Sequence, residues 1–142
     1  MTTEYKKPLP YYDHPAVSRP FWEAAKRHEL VMPRCKHCHQ ITFYPREVCP
    51  FCHAQEWEWP LMSGKGVLYA YTVVYQPGHP AFQEDAPYIF AIVQLDEGPR
   101  MPSNIVGVDA EDFMKELKIG IPVVATYDDV TPEVTLVKFR PA

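Results

Sequence analysis

At 142 residues, 46% hydrophobic and 13% aromatic, the chain can fill one ordinary core, or a small module beside a compact one. Its formal net charge is −4, and residues 63–142 carry eleven acidic against six basic side chains, a balance that opposes a nucleic-acid partner. The sixteen prolines are scattered without a period, which excludes a low-complexity tract and points to many turns and edge strands.

Residues 1–29 read as an N-terminal arm and helix. The arm, 1–17, places Pro8, Pro10 and Pro15 among Tyr5, Tyr11 and Tyr12. It contains no apolar run that could form a signal-peptide core, and no segment is long enough to span a bilayer, so a cytoplasmic chain without membrane contact is expected. Ser18 offers an N-cap and Pro20 suits a first helical turn. A short helix is expected over 21–30, with Phe21, Ala24, Ala25 and His28 on one face against the next module.

Residues 30–62 read as a zinc ribbon. A short strand at 30–32 leads into Cys35 and Cys38, and a second CxxC pair, Cys49 and Cys52, follows ten residues later. These are all the cysteines of the chain. Two CxxC turns aim four thiolates inward, a donor set that suits one structural Zn(II), with tetrahedral iron as the rival. All four positions are sulfur, so no place remains for an activated water. His37, His39 and His53 are read as exposed knuckle residues, not ligands. EWEWPL, 56–61, alternates as a strand does, and Trp57 and Trp59 are expected to cover the joint with the next module, with an exposed aromatic platform as the alternative.

The breaker cluster Ser63-Gly64-Lys65-Gly66 marks the start of a second unit, 63–142. Five β-rich runs follow, at 67–75, 88–95, 103–108, 123–128 and 134–140, with a helix expected over 110–117 behind Asp109. Order and strand length fit a five-stranded OB-fold barrel, so the fold class is mainly β: an N-terminal helix, a four-cysteine ribbon and the barrel. The loop 76–87 is the longest interruption and holds His79, Phe82, Glu84 and Asp85; it reads either as a partner-contacting element or as a plain surface connection.

The runs LVMPRCKHC, FYPREVCPFC, SGKGVLYAYTVV, PYIFAIVQLDEG and LKIGIPV, in that order, resemble the DUF35 family of OB-fold proteins with an N-terminal rubredoxin-like zinc ribbon. The resemblance covers roughly residues 18–138. It implies an accessory subunit of a thiolase-like enzyme acting on acyl-CoA, in settings that include degradation of aromatic or steroid side chains, isoprenoid precursor synthesis and polyketide-like condensation. In such complexes the partner carries the nucleophilic cysteine, while the small subunit shapes the substrate site, holds the assembly together or contacts CoA.

The residues agree that this chain is not an enzyme by itself. A cysteine nucleophile needs a free thiolate beside a base, and the metal site uses every thiol. His79 with Glu84 or Asp85 is the one local acid–base combination. A CoA-contacting surface would set Arg or Lys beside an aromatic groove, and Arg46, Lys65 and Arg34 near Tyr69 and Tyr71 are the candidates. Two other functions compete: a single-strand nucleic-acid binder, which the acidic barrel segment opposes, and a rubredoxin-like electron carrier, which the short spacing between the CxxC pairs opposes.

Overall fold

The structure, a computed structural model, describes residues 5–9, 17–110 and 115–142. Helix α1, Arg19–Lys26, begins behind Ser18 with proline in its first turn and buries Phe21, Ala24 and Ala25. It stops four residues short of the expected end. His28 takes a left-handed conformation (φ 59°), and the amides of His28 and Glu29 donate to the carbonyls of Ala25 and Ala24. This is a Schellman closure with histidine where glycine is usual. It turns Leu30 and Met32 into the core, each at most 1% exposed.

The ribbon's regular pairing is brief. Strand β1, Arg34–Cys35, runs antiparallel to β2, Trp57–Glu58, in the register Arg34↔Glu58 and Cys35↔Trp57. The strand expected at 30–32 is reduced to a single bridge, Val31↔Leu61. Trp59 packs against the main core, whereas Trp57 stays within the ribbon and donates its indole N–H to the carbonyl of Glu47.

The remaining strands close into a barrel: β3 Lys65–Val74, β4 Tyr88–Leu95, β5 Arg100–Ile105, β6 Pro122–Asp129 and β7 Thr135–Pro141, in the order β3-β4-β5-β7-β6. Period-two burial on β4 sends Ile89, Ala91, Val93 and Leu95 inward to meet Leu68, Met101, Ile105, Val123 and Phe139. Phe21, Leu30, Met32 and Met62 join the same cluster, so helix, ribbon base and barrel share one core. The closure has a weak seam: β5 and β7 run parallel and pair only at Ile105↔Phe139.

Strand β5 lies three residues earlier than expected. Pro99 and Pro102 hide it in the sequence, yet Pro102 sits in register with Ile92, and Gly107 (φ 80°) ends the strand where the apolar run continues. The helix expected over 110–117 falls partly on residues 111–114, which lie outside the described residues; Leu117 is buried in the barrel core. Loop 76–87 is not irregular throughout, because Pro80–Asp85 form a 3-10 helix capped by His79.

Gly66 is required by close approach. It pairs with Leu95 on one side and Val123 on the other, and a Cβ there would stand 2.3 Å from the carbonyl oxygen of Gln94. Since the obstacle is backbone, Gly66→Ala should push β3 from β4 and cost about 1–3 kcal/mol or more, as overpacking does. A lowered urea midpoint at unchanged m-value checks this; an unchanged midpoint would contradict it.

Two carboxylates tie the ribbon and α1 in place. Glu58 accepts from Arg34 at 2.6 Å, and Asp129 accepts from the Thr135 hydroxyl and lies 2.9 Å from Nε2 of His28, whose ring stacks on Tyr127. The Arg34 guanidinium lowers the Glu58 pKa; Thr135 first and His28 second lower that of Asp129. A carboxyl depressed on folding contributes stability above its unfolded pKa, and that stability is lost as pH falls through the folded value. Asp129→Asn should therefore flatten the loss of thermal stability below about pH 5; an unaltered acid limb would show that the tie contributes nothing.

Candidate metal centre and junction cavity

Each CxxC turn is closed in the same way. The amide of His39 donates to the carbonyl of Cys35 and that of His53 to Cys49, both at 2.9 Å, and both histidines take left-handed backbone conformations. The turns face each other so that the four Sγ atoms lie within 4.8 Å of one another, with Cys35–Cys52 at 3.5 Å and Cys38–Cys49 at 3.6 Å. A tetrahedral zinc with Zn–S of about 2.3 Å requires sulfurs roughly 3.8 Å apart, so the donor set fits a closed four-sulfur site. His37, His39 and His53 are exposed around it.

Four sulfurs this close do not share charge equally. The Cys38 amide, helped by that of His37, pulls the Cys35 thiol down to about 6. The Gln40 amide favours the Cys38 thiolate, but burial and the neighbouring sulfurs outweigh it and push that thiol up to about 12. A divalent cation is what allows all four to deprotonate together. Cys35 and Cys49 are fully buried.

Behind the first knuckle, Phe43, Tyr44 and Pro45 cross to α1 and the barrel. With Phe21 and Trp22 of α1, Phe90 of β4, Met101–Asn104 of β5 and Leu136–Lys138 of β7 they line a solvent-open cavity of about 470 Å³ over the weak β5/β7 seam. Its aromatic walls are interlocked: Phe21 meets Trp22 edge-on at 5.0 Å and Phe43 at 5.7 Å. A second, more polar space of about 540 Å³ lies between the ribbon and the β4–β5 turn, against His39, Phe51, Gln94, Glu97 and Arg100.

The expected CoA-contacting residues are spread out. Arg46 is exposed on the ribbon, and Lys65 is exposed at the start of β3, roughly 13 Å along the strand from Tyr69. Tyr71 packs against the core. The cation over Tyr69 is Arg100, 3.8 Å from the ring centroid, a residue that sequence reasoning missed. Arg34 is engaged with Glu58. In the loop, His79 Nδ1 accepts the amide of Ala81, Phe82 meets His79 edge-on, Asp85 pairs with Lys7, and Glu84 is exposed. Phe90, also missed, left one signal: β4 is apolar on its outward positions Phe90 and Ile92 as well as its inward ones, as a strand covered on both faces is.

Among the described residues no helix is long and apolar enough to cross a membrane. Residues 22–58 match the rubredoxin-like zinc ribbon domain of ChsH2, and residues 59–128 match its C-terminal OB-fold domain. The chain is 39% identical over 140 residues to a probable enoyl-CoA hydratase alpha subunit of Thermomonospora curvata, covering 96% of this chain but only 42% of that longer protein. A DUF35 domain-containing scaffold protein of Methanocaldococcus jannaschii is 38% identical, over 78% of this chain and 76% of its own length. A benzoylsuccinyl-CoA thiolase subunit, BbsA, of Geobacter metallireducens is 31% identical, over 75% and 70%. Among solved structures, the Ltp2-ChsH2(DUF35) aldolase matches with a TM-score of 0.79 at 36% identity, covering 94% of this chain and 98% of that one. The chain belongs to the DUF35 family, in which a rubredoxin-like zinc ribbon precedes an OB-fold barrel.

Proposed function

We propose that this chain is the non-catalytic, zinc-holding subunit of a thiolase-type complex that breaks or forms a C–C bond in an acyl-CoA, in the degradation of an aromatic or steroid-derived acyl group. It shapes the CoA and substrate site and holds the assembly together; the loop of His79, Phe82, Glu84 and Asp85 meets the partner, and of the spread-out residues Arg46, Lys65, Tyr69 and Tyr71 the exposed ones, Arg46, Lys65 and Tyr69, are those open to CoA. The observation that carries the reading is the convergence of all four cysteines on one closed centre, which leaves no thiol to attack a thioester. The ring nitrogen of His79 that faces Ala81 already serves as a helix cap, and Asp85 already pairs with Lys7, so the loop is occupied with structure. Relatives named as a thiolase subunit, a scaffold protein and part of an aldolase support the assignment.

In a complex reconstituted with its thiolase-type partner at saturation, His79→Ala combined with Glu84→Gln should change kcat by less than about threefold, because general acid–base groups contribute 10²–10⁴ when lost. A hundredfold fall with the complex intact would place chemistry on this chain and sink the reading.

A further inference from the structure

The cavity between α1, residues 43–45 and the barrel seam is a built feature of the fold. Strands β5 and β7 pair only at Ile105↔Phe139 and part beyond it; the Ser103 hydroxyl bridges to the carbonyl of Val137 at 2.9 Å, and α1 roofs the gap without filling it. The walls are rigid aromatics, and two of them, Tyr44 (59% exposed) and Phe90 (42%), stand at the solvent side, so a ligand has a route in.

We propose that this cavity binds the ring portion of a bulky, uncharged acyl group of two to three fused rings. The proposal deepens the acyl-CoA reading above and rests on it. Size is the first argument. An engineered apolar cavity of about 150 Å³ stays dry and takes up benzene; this one, at about 470 Å³, has room for roughly three times as much. The lining is the second: five aromatic rings, Phe21 and Trp22 of α1, Phe43 and Tyr44 behind the knuckle and Phe90 of β4, line the cavity, and aromatic walls pack favourably against the rings of a ligand.

Charge is the third. Among the described residues Lys138 is the sole cationic side chain of the lining, and its Nζ donates to Asp128 at 2.7 Å, so it is already paired. Ser103 and Asn104 supply the polar contacts. Asn104 gives one amide N–H to the carbonyl of Ile89; a carboxamide offers a second N–H and an acceptor oxygen besides, a neutral pair that suits a ring hydroxyl or ketone better than a carboxylate or phosphate. The nucleotide end of a CoA ester therefore lies elsewhere, and only the ring end enters.

The test is calorimetric titration of the full metal-loaded chain with 2-naphthol, with 2-naphthoate and octan-1-ol as comparators. Saturable one-to-one binding of 2-naphthol is expected, at least tenfold tighter than either comparator. Phe90→Ala removes a half-exposed wall without opening the core and should weaken binding at least tenfold; Ser103→Leu fills the slot and should abolish it; Phe51→Ala, on the ribbon, should leave it unchanged. No saturable binding, equal binding of octan-1-ol, or wild-type affinity in both cavity variants would overturn the site. The assay uses this chain alone, so binding without any recoverable thiolase-type partner would sink the subunit reading and leave the site standing.

Discussion

Replacing Cys35 or Cys49 by serine should abolish metal binding and unfold the ribbon. Both sulfurs are fully buried, and the ribbon has little else to hold it: two residues of strand pairing and a few turn hydrogen bonds. Structural zinc contributes about 10–16 kcal/mol to comparable small fingers, which equals or exceeds the whole 5–15 kcal/mol stability of an ordinary domain. Damage should spread beyond the knuckles, because Leu30, Met32 and Met62 at the ribbon base share a core with the barrel. Limited proteolysis should cut rapidly within residues 30–61, and elemental analysis should find less than one zinc per ten chains. A Cys35→Ser chain that keeps its metal and resists protease would refute the structural role of the centre.

Phe139→Ala should be the most damaging single change in the barrel. Phe139 is fully buried on β7, opposite Ile105 across the weak seam and Ala125 on the other side. Truncating a buried phenylalanine costs about 3–5 kcal/mol, which at this chain length lowers Tm by roughly 10–20 °C. Scanning calorimetry would show it; a shift under about 3 °C would mean that the seam is held by something other than this ring.

Much of this architecture could be read from the sequence because single positions dictated it. The four cysteines specify the ribbon, and the apolar, β-rich run of residues 88–95 specifies a strand, though not which of its faces is covered. Three features were hidden because they depend on tertiary context. The end of α1 is set by His28 in a conformation that sequence rules reserve for glycine, held there by Asp129 and Tyr127 from 100 residues away. The true span of β5 was masked by prolines, tolerated where β7 pairs with the strand at only one position, Ile105. The junction cavity draws its walls from residues 18–22, 43–45, 90, 101–104 and 136–138, which no local pattern connects. The same holds for charge: Lys138 looks like a free cation in sequence and is paired in the fold with Asp128.

The expected CoA surface shows the complementary case. Arg46, Lys65, Tyr69 and Tyr71 were grouped by residue type, yet the fold spreads them along ribbon and barrel and gives Tyr69 to Arg100. The Arg100 guanidinium carbon lies 3.8 Å from the centre of the Tyr69 ring, so this tyrosine is already engaged in a cation–π contact.

The central claim is that this chain works by holding a thiolase-type enzyme, and one measurement tests it most directly: recovery of the tagged, metal-loaded chain from extract of its own organism at moderate salt, with mass-spectrometric identification of what stays bound. A thiolase-type protein in stoichiometric amount is the predicted result, and its own substrate would name the acyl group. Recovery of the chain alone, or with nucleic acid that high salt removes, would contradict the account.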